Sequence, residues 1–229
     1  MTLMLTRLKT RARLRKGTMR RKNFFCCLLF MTSIVSFSLW GEELNHNVLP
    51  YKKNLKEKIL EGEIFSESKV TSATASTSSD KKNETQELHF TIAGLHPKSC
   101  SYALKKLSVY EGYSKFLDFV KVSKYSEQNQ EIDFLLSHVL LPYDMRLVFK
   151  LPRIEKEGVY PFEFEHGILK NLKGNIYAIN HNGKCLFFTK ADWQGPHTGF
   201  PNVVFEFFSQ TLAKLSMERL FRISNTLSH

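Results

Sequence analysis

A histidine lies inside one of the most apolar stretches of the sequence. His138 follows the run Phe134-Leu135-Leu136-Ser137 and precedes Val139-Leu140-Leu141. A buried imidazole has to be hydrogen-bonded, and such a ring can orient a ligand carbonyl or act as a base. A structural histidine, hydrogen-bonded within the core or at a sheet edge, explains the position as well, and we favour that interpretation.

Two carboxylates lie at a spacing that could support acid–base chemistry. Glu163 and Glu165 are two residues apart in a predicted strand, so their side chains point to the same side. A pair of carboxylates can share general acid and general base roles. Because the alternating Phe162 and Phe164 are apolar, we expect the two glutamates to face water and predict no catalytic site there.

No motif in the sequence is typical of a metal or cofactor site. The chain contains no Cys-x-x-Cys, no His-Glu-x-x-His, no Gly-x-Ser-x-Gly and no glycine-rich phosphate loop. The other candidate ligands, His166, His181 and His197, have no metal-ligand spacing. We therefore predict no metal and no cofactor, and we favour a protein that is not an enzyme.

The cysteines leave the redox state open. Cys26 and Cys27 lie in an apolar run near the N-terminus, which leaves Cys100 and Cys185 in the rest of the chain. A disulfide between these two would suit an oxidising compartment. Two separate buried thiols are the interpretation that we favour.

The N-terminal region resembles an export signal. Phe24 to Trp40 is a run of 17 uncharged residues directly after Arg20-Arg21-Lys22, with small residues towards its end. This order is typical of a secretory signal, and Met19 is a plausible start in place of Met1. An uncleaved membrane anchor is the alternative, although the run is short for a span of about 20 residues. Either way we expect the C-terminal part outside the cytoplasm, in the periplasm if the signal is cleaved.

The positive charge is concentrated in that N-terminal region. The net charge is +11, but residues 1–23 hold nine basic side chains and no acidic one. A nucleic-acid-binding protein would carry its basic surface on the folded domain. We therefore predict no nucleic-acid partner.

Composition divides the chain into three parts. Residues 1–41 form the basic region and signal, and residues 42–87 read as a flexible polar linker, in which Lys52 to Ile64 is compatible with a weak helix. Residues 88–226 form the folded domain. There the hydrophobic periodicity predicts an edge strand at 88–95 and two short helices at 99–109 and 112–120. Antiparallel strands follow at 120–125, 132–141, 143–151, 158–169, 174–180 and 184–193, and a long helix closes the domain at 203–223.

Two passages resemble a known group of folds. Tyr110-Glu111-Gly112-Tyr113-Ser114-Lys115-Phe116 and Asp118-Phe119-Val120-Lys121-Val122 are similar to the passage from helices into the second strand of START-like, helix-grip domains. The segments 141–149 and 158–164 fit the middle strands. The group includes polyketide cyclases, coenzyme-Q-binding START proteins and birch-pollen-allergen-like proteins. The resemblance extends over residues 88–225 and implies an α+β fold, with a curved antiparallel sheet of about six to seven strands wrapped around a long C-terminal helix.

The resemblance implies a cavity between the sheet and the long helix. Such cavities usually hold a lipid, a sterol, an isoprenoid quinone or a polyketide, so we expect the exported protein to bind a hydrophobic small molecule or lipid there. A membrane surface is a further candidate partner. A cyclase or dehydratase using the same cavity, and an interaction protein with a filled core, are the alternatives. Strand alternation and the helix face predict the lining residues, each of which could instead be plain core: Phe134, Leu136, His138, Met145, Leu147, Phe149, Phe162, Phe164, Phe187, Trp193, Val204, Phe208, Leu212 and Leu215.

Overall fold

The computed structural model describes residues 49–74, 84–139, 141 and 143–226. The predicted N-terminal basic region and signal lie outside these residues. Three α-helices and eight strands follow one another as α1 (Lys53–Leu60), β1 (Phe65–Thr74), β2 (Glu84–His96), α2 (Cys100–Leu107), β3 (Val120–Ser126), β4 (Glu131–Leu136), β5 (Met145–Lys150), β6 (Gly158–His166), β7 (Lys173–His181), β8 (Lys184–Pro196) and α3 (Asn202–Thr226). A 3₁₀ helix at Tyr110–Lys115 lies between α2 and β3.

All eight strands belong to one antiparallel sheet in the order β1-β2-β8-β7-β6-β5-β4-β3. The predicted order of strand, two short helices, strands and long helix is confirmed, with one more strand than expected. The strand at Leu88 was predicted to be an edge, and this is wrong, because β2 pairs with β8 on one side and with β1 on the other. In the described part of the chain, no helix is long and apolar enough to cross a membrane.

The strands predicted at 174–180 and 184–193 are present as β7 and β8, and a tight hairpin joins them. Asn182 and Gly183 both have positive φ values, of 50° and 77°, and His181 pairs with Lys184 across the turn. Asn-Gly is the pair best suited to a two-residue turn of this kind, because both central residues must enter the left-handed region. The side chain of Asn180 accepts a hydrogen bond from the Gly183 N–H and supports the turn.

The segment predicted to be a flexible linker contains two ordered elements. Helix α1 packs on the outer face of the sheet, where Ile59 and Leu55 contact a cluster that includes Leu95 and Phe188. Strand β1 pairs with β2 along its whole length. The helix considered at Lys52 to Ile64 is present as α1, whereas the linker prediction for residues 42–87 is wrong over β1, because a Ser/Thr-rich composition does not show that a segment has a strand to pair with.

A polar seam joins the edge strand β1 to helix α3. The Val70 N–H donates to Oε1 of Glu206 at 2.6 Å, and the Gln210 side chain donates to the Ser66 carbonyl at 2.7 Å. We call these contacts, together with the pairs Ser68–Ser209 and Ser72–Asn202, the β1–α3 seam. The seam closes the space between sheet and helix along the β1 side.

A disulfide ties the start of α2 to the start of β8. Cys100 is bonded to Cys185, 85 residues further along the chain, and both residues are buried. The expectation of two separate thiols is therefore wrong. The reason is strand register: β2 places His96 opposite Cys185, and the Cys185 N–H donates to the Lys98 carbonyl just before α2 begins.

Candidate ligand-binding site

The space between the sheet and α3 contains two apolar cavities. The first has a volume of about 250 Å³ and lies against the N-terminal half of α3. Its walls come from β2, β4, β5, β6 and β8, from the segments that follow β4 and β6, and from α3 and the segment before it. Its lining residues are Leu88, Phe90, Leu136, Leu141, Met145, Leu147, Phe162, Phe164, Ile168, Leu169, Leu172, Ala191, Phe200, Phe205, Phe208, Ser209 and Leu212.

The second cavity has a volume of about 380 Å³ and lies against the C-terminal half of α3. Helix α2 and the 3₁₀ helix cover it on the side away from the first cavity. Its lining residues are Phe90, Ile92, Leu104, Leu107, Ser108, Tyr110, Tyr113, Ile132, Phe134, Phe149, Leu151, Ile154, Phe162, Phe164, Ile176, Phe187, Thr189, Ala213, Ser216, Met217, Leu220 and Phe221.

Three phenylalanines separate the cavities and line both of them. Phe90 comes from β2, while Phe162 and Phe164 come from β6. The rings of Phe162 and Phe164 meet at 63° with their centroids 6.1 Å apart. We call these three residues the aromatic neck. An elongated apolar molecule that occupied both cavities would have to pass it.

The tyrosines of the second cavity already have hydrogen-bond partners. The Tyr113 hydroxyl donates to the Leu107 carbonyl at 2.6 Å. The Tyr110 hydroxyl donates to the Pro152 carbonyl and accepts from the Ile154 N–H, both at 3.2 Å. Burial raises the pKa of both phenols well above its usual value. Both rings therefore stay neutral and serve as apolar walls with satisfied hydroxyls.

A charged network holds the rim beside Tyr110. Arg153 lies over the Tyr125 ring at 4.5 Å and pairs with Glu127 at 2.6 Å and Glu111 at 3.3 Å. Both partners come from other elements and not from the acidic neighbours Glu155 and Glu157. The guanidinium joins the 3₁₀ helix, the β3–β4 turn and the segment after β5, so it fixes one wall of the second cavity.

Ten of the fourteen predicted lining residues do line a cavity. Strand alternation placed most of them, because side chains at every second position of β4, β5, β6 and β8 face the helix. They are Phe134, Leu136, Met145, Leu147, Phe149, Phe162, Phe164, Phe187, Phe208 and Leu212. The structure does not bring His138, Trp193, Val204 or Leu215 into either lining.

His138 lies beyond the end of β4. It is half-buried, and its carbonyl accepts from the Leu141 N–H at 2.8 Å. The apolar run suggested that β4 continued to Leu141, but the strand ends at Leu136. The imidazole is therefore outside both linings. Glu163 and Glu165 lie on the outer side, as predicted, and Glu165 pairs with Lys150.

Trp193 has a packing role. The indole is only 4% exposed, its N–H donates to the Lys170 carbonyl at 2.9 Å, and its ring meets Phe205 edge to face. It anchors the end of β8 against the first turn of α3. These contacts make it a packing plug at the entry to the helix and not a gate over the cavity.

The face that α3 presents to the cavities is rotated from the predicted one. Val204 and Leu215 are 37% and 47% exposed on the outer side, whereas Phe205 is 7% exposed and lines the first cavity. Phe205 is absent from the predicted lining, and so is Met217, which lines the second cavity. Because α3 carries apolar side chains around its whole circumference, periodicity alone could not select the buried face.

Gly94 shows how closely α3 approaches the sheet. A Cβ at this position would lie 2.8 Å from the Met217 sulfur and 3.1 Å from the Phe221 ring. The absence of a side chain in β2 lets these two helix residues close the end of the second cavity. Within the described residues no group of three His, Cys, Asp or Glu side chains could hold a metal ion.

The sheet order, the two short helical segments between β2 and β3 and the long closing helix define a START-like helix-grip fold. A conserved protein from Geobacillus kaustophilus has a similar structure, with a TM-score of 0.51 at 12% identity over 62% of this chain and 97% of that one. A START superfamily protein from Mycobacterium smegmatis gives 0.48 at 10% identity, over 61% and 99%. Zhui aromatase/cyclase from Streptomyces sp. R1128 gives 0.49 at 8% identity, over 62% and 94%. These similarities concern the fold. No protein-family model and no curated protein matches the sequence.

Proposed function

We propose that this protein binds a hydrophobic small molecule or lipid between the sheet and α3. The observation that carries the proposal is the pair of apolar cavities that meet at the aromatic neck. The second cavity, at about 380 Å³, lies in the range of small-molecule sites, which run from about 300 to 1,000 Å³, and the first, at about 250 Å³, lies just below it. Transfer of apolar ligand surface from water stabilises such a complex by about 25 cal/mol per Å².

The likeness to a START superfamily protein and to an aromatase/cyclase supports a role for this space in ligand binding. The walls come from rigid elements: sheet strands on one side, and on the other a helix joined to β1 by the seam. A preformed cavity of this kind lowers the ordering cost of binding. We expect the isolated protein to retain its ligand through purification.

We also propose that the protein works outside the cytoplasm, in the periplasm. The Cys100–Cys185 disulfide supports this location, because disulfides persist in oxidising compartments. The basic residues and apolar run at the N-terminus support it independently.

The test is native mass spectrometry on the protein purified without detergent from a lipid-containing host, followed by organic extraction. A stoichiometric adduct that is lost on denaturation and proves to be a lipid or another apolar molecule would support the proposal. A bare mass, together with no thermal shift from a lipid panel, would contradict it and favour a filled core with an interaction role. Chemical conversion of the extracted molecule by the protein would instead favour the cyclase or dehydratase alternative.

A further inference from the structure

The two cavities differ in the chemistry of their walls. Ser209 is the one residue with a polar side chain among the described residues lining the first cavity, and its hydroxyl donates to the Phe205 carbonyl at 2.9 Å. The second cavity contains five hydroxyl-bearing residues in an otherwise apolar wall. A molecule that fills both cavities would therefore meet plain hydrocarbon at one end and hydroxyl groups at the other.

Three of the five hydroxyls in the second cavity are used inside the protein. Tyr110 and Tyr113 donate to main-chain carbonyls, and Ser216 donates to the carbonyl of Leu212 in its own helix. The remaining two belong to Ser108, which follows α2, and Thr189, in the middle of β8. Within the described part of the chain, neither of these two hydroxyls makes a hydrogen bond.

Ser108 and Thr189 both face the interior. Ser108 is 6% exposed although its hydroxyl lacks a partner. Thr189 lies on β8 between the inward-facing Phe187 and Ala191, so its side chain points to the same side as theirs. Neither oxygen is among the fully buried side-chain atoms that lack a partner in the described residues, so both keep accessible surface to which a ligand group in the cavity can hydrogen-bond.

Resting on the proposed function, we infer that the ligand is an uncharged lipid with a hydroxyl or carbonyl group. That group lies in the second cavity and hydrogen-bonds to the Ser108 and Thr189 hydroxyls, while the hydrocarbon passes the aromatic neck into the first cavity. A hydroxyl both donates and accepts, so it suits either an alcohol or a carbonyl. An ionised head group in the same wall of rings, aliphatic chains and hydroxyls would give up its hydration without an opposite charge to replace it.

The test compares ligands that differ only at the head group. The full chain, stripped of endogenous ligand, is loaded with diphenylhexatriene, a fluorescent hydrocarbon with no hydrogen-bonding group. Dodecan-1-ol and dodecanoate then compete for the site at pH 8, where the carboxylate is ionised. We expect dodecan-1-ol to displace the probe at a concentration at least tenfold lower than dodecanoate.

The variants Ser108→Ala and Thr189→Val assign the contacts. Each removes one hydroxyl and keeps most of the side-chain shape, so each should raise the Kd for dodecan-1-ol about three- to tenfold. The Kd for diphenylhexatriene should stay unchanged, which also shows that the variant is folded. Ser101→Ala on the exposed side of α2 and Thr71→Val on the exposed side of β1 are the matched controls.

Each result decides a different question. If dodecanoate competes as well as dodecan-1-ol, or if neither variant weakens the binding of dodecan-1-ol, the inference is overturned, while the proposal that the protein binds apolar molecules stands. If dodecan-1-ol fails to displace bound diphenylhexatriene, the inference is again overturned. If the unmodified protein does not bind diphenylhexatriene at all, the proposed function itself is overturned.

Discussion

Phe164 stacks face to face on Phe149, with the ring centroids 4.7 Å apart and the planes inclined by 10°. Phe164 lines both cavities, whereas Phe149 lines only the second. The stack therefore holds one ring of the aromatic neck in place. Where the two cavities are divided depends on this contact between neighbouring strands β5 and β6.

Removing the ring of Phe164 should join the cavities. We expect Phe164→Ala to lower the free energy of unfolding by about 2–3 kcal/mol, less than for a fully buried phenylalanine because this one is only partly buried. Because the joined space is longer, the preference for alcohols with chains longer than that of dodecan-1-ol should increase, as measured by displacement of diphenylhexatriene. Phe207→Ala, on the outer side of α3, is the control. An unchanged chain-length preference would show that the neck does not divide the site.

Filling the first cavity should prevent binding there without unfolding the protein. Leu212 lines that cavity and Leu215, on the same helix, is exposed. We expect Leu212→Trp to reduce the amount of ligand that co-purifies by at least tenfold, and Leu215→Trp to leave it unchanged. Native mass spectrometry measures the bound fraction, and thermal melting shows whether each variant is folded. Equal ligand content in the two variants would count against binding in the first cavity.

The disulfide should account for a large part of the stability. Cys100→Ala combined with Cys185→Ala opens a cross-link between residues 85 apart. Loss of the constraint on the unfolded chain should lower the free energy of unfolding by about 2–4 kcal/mol. Urea denaturation with and without reductant measures this. Reductant should destabilise the unmodified protein and leave the double variant unaffected, and any other pattern would indicate that the bond does not form.

His96 should make the stability depend on pH. The ring is fully buried, its Nδ1 accepts from the Lys98 N–H, and its Nε2 lies 2.9 Å from the Ser224 hydroxyl. Burial lowers the pKa of His96 below the ordinary histidine value of 6.5. The unfolded chain therefore takes up a proton, as the pH falls through 6.5, that the folded protein does not.

The free energy of unfolding should consequently be at its full value above about pH 6.5 and fall as the pH is lowered from there towards 5. His96→Gln should reduce this slope, while His166→Gln, at an exposed position on β6, should keep it. Urea midpoints measured across this range provide the comparison. A slope that persists in His96→Gln would assign the effect to other groups.

Gln86 should be needed to position the start of α3. This fully buried side chain donates to the Phe200 carbonyl at 2.9 Å and to Asn202 Oδ1 at 2.8 Å, and it accepts from the Thr198 N–H at 2.7 Å. Gln86→Leu leaves these partners unsatisfied, so the free energy of unfolding should fall by about 2–4 kcal/mol. Gln194→Leu, at an exposed position on β8, is the control. Equal melting temperatures for the two variants would contradict this role.

The sequence identified the folded domain best where local chemistry determines the structure. Asn182-Gly183 specified the β7–β8 hairpin, and strand alternation placed residues such as Phe149 and Phe164 on the inner face. These features depend on neighbours in the chain. The element order then sufficed to indicate the helix-grip fold.

The remaining errors come from contacts between distant segments. Ser66 and Ser68 belong to a stretch whose composition resembles a linker, yet it pairs with β2 and contacts α3. Cys100 and Cys185 meet only because of the β2–β8 register. For α3, the contacts of Glu206 and Gln210 with β1 determine which face of the helix is turned towards the sheet. The spacing of apolar residues along the helix does not show where β1 lies.

The β1–α3 seam has a consequence for aggregation. An edge strand with unpaired main-chain groups is a template for pairing with another chain. Here helix side chains engage such groups on β1, including the Val70 N–H and the Ser66 carbonyl. If α3 detaches, the edge strand β1 exposes unpaired main-chain groups and the apolar interior becomes accessible at the same time. Self-association should therefore compete with refolding.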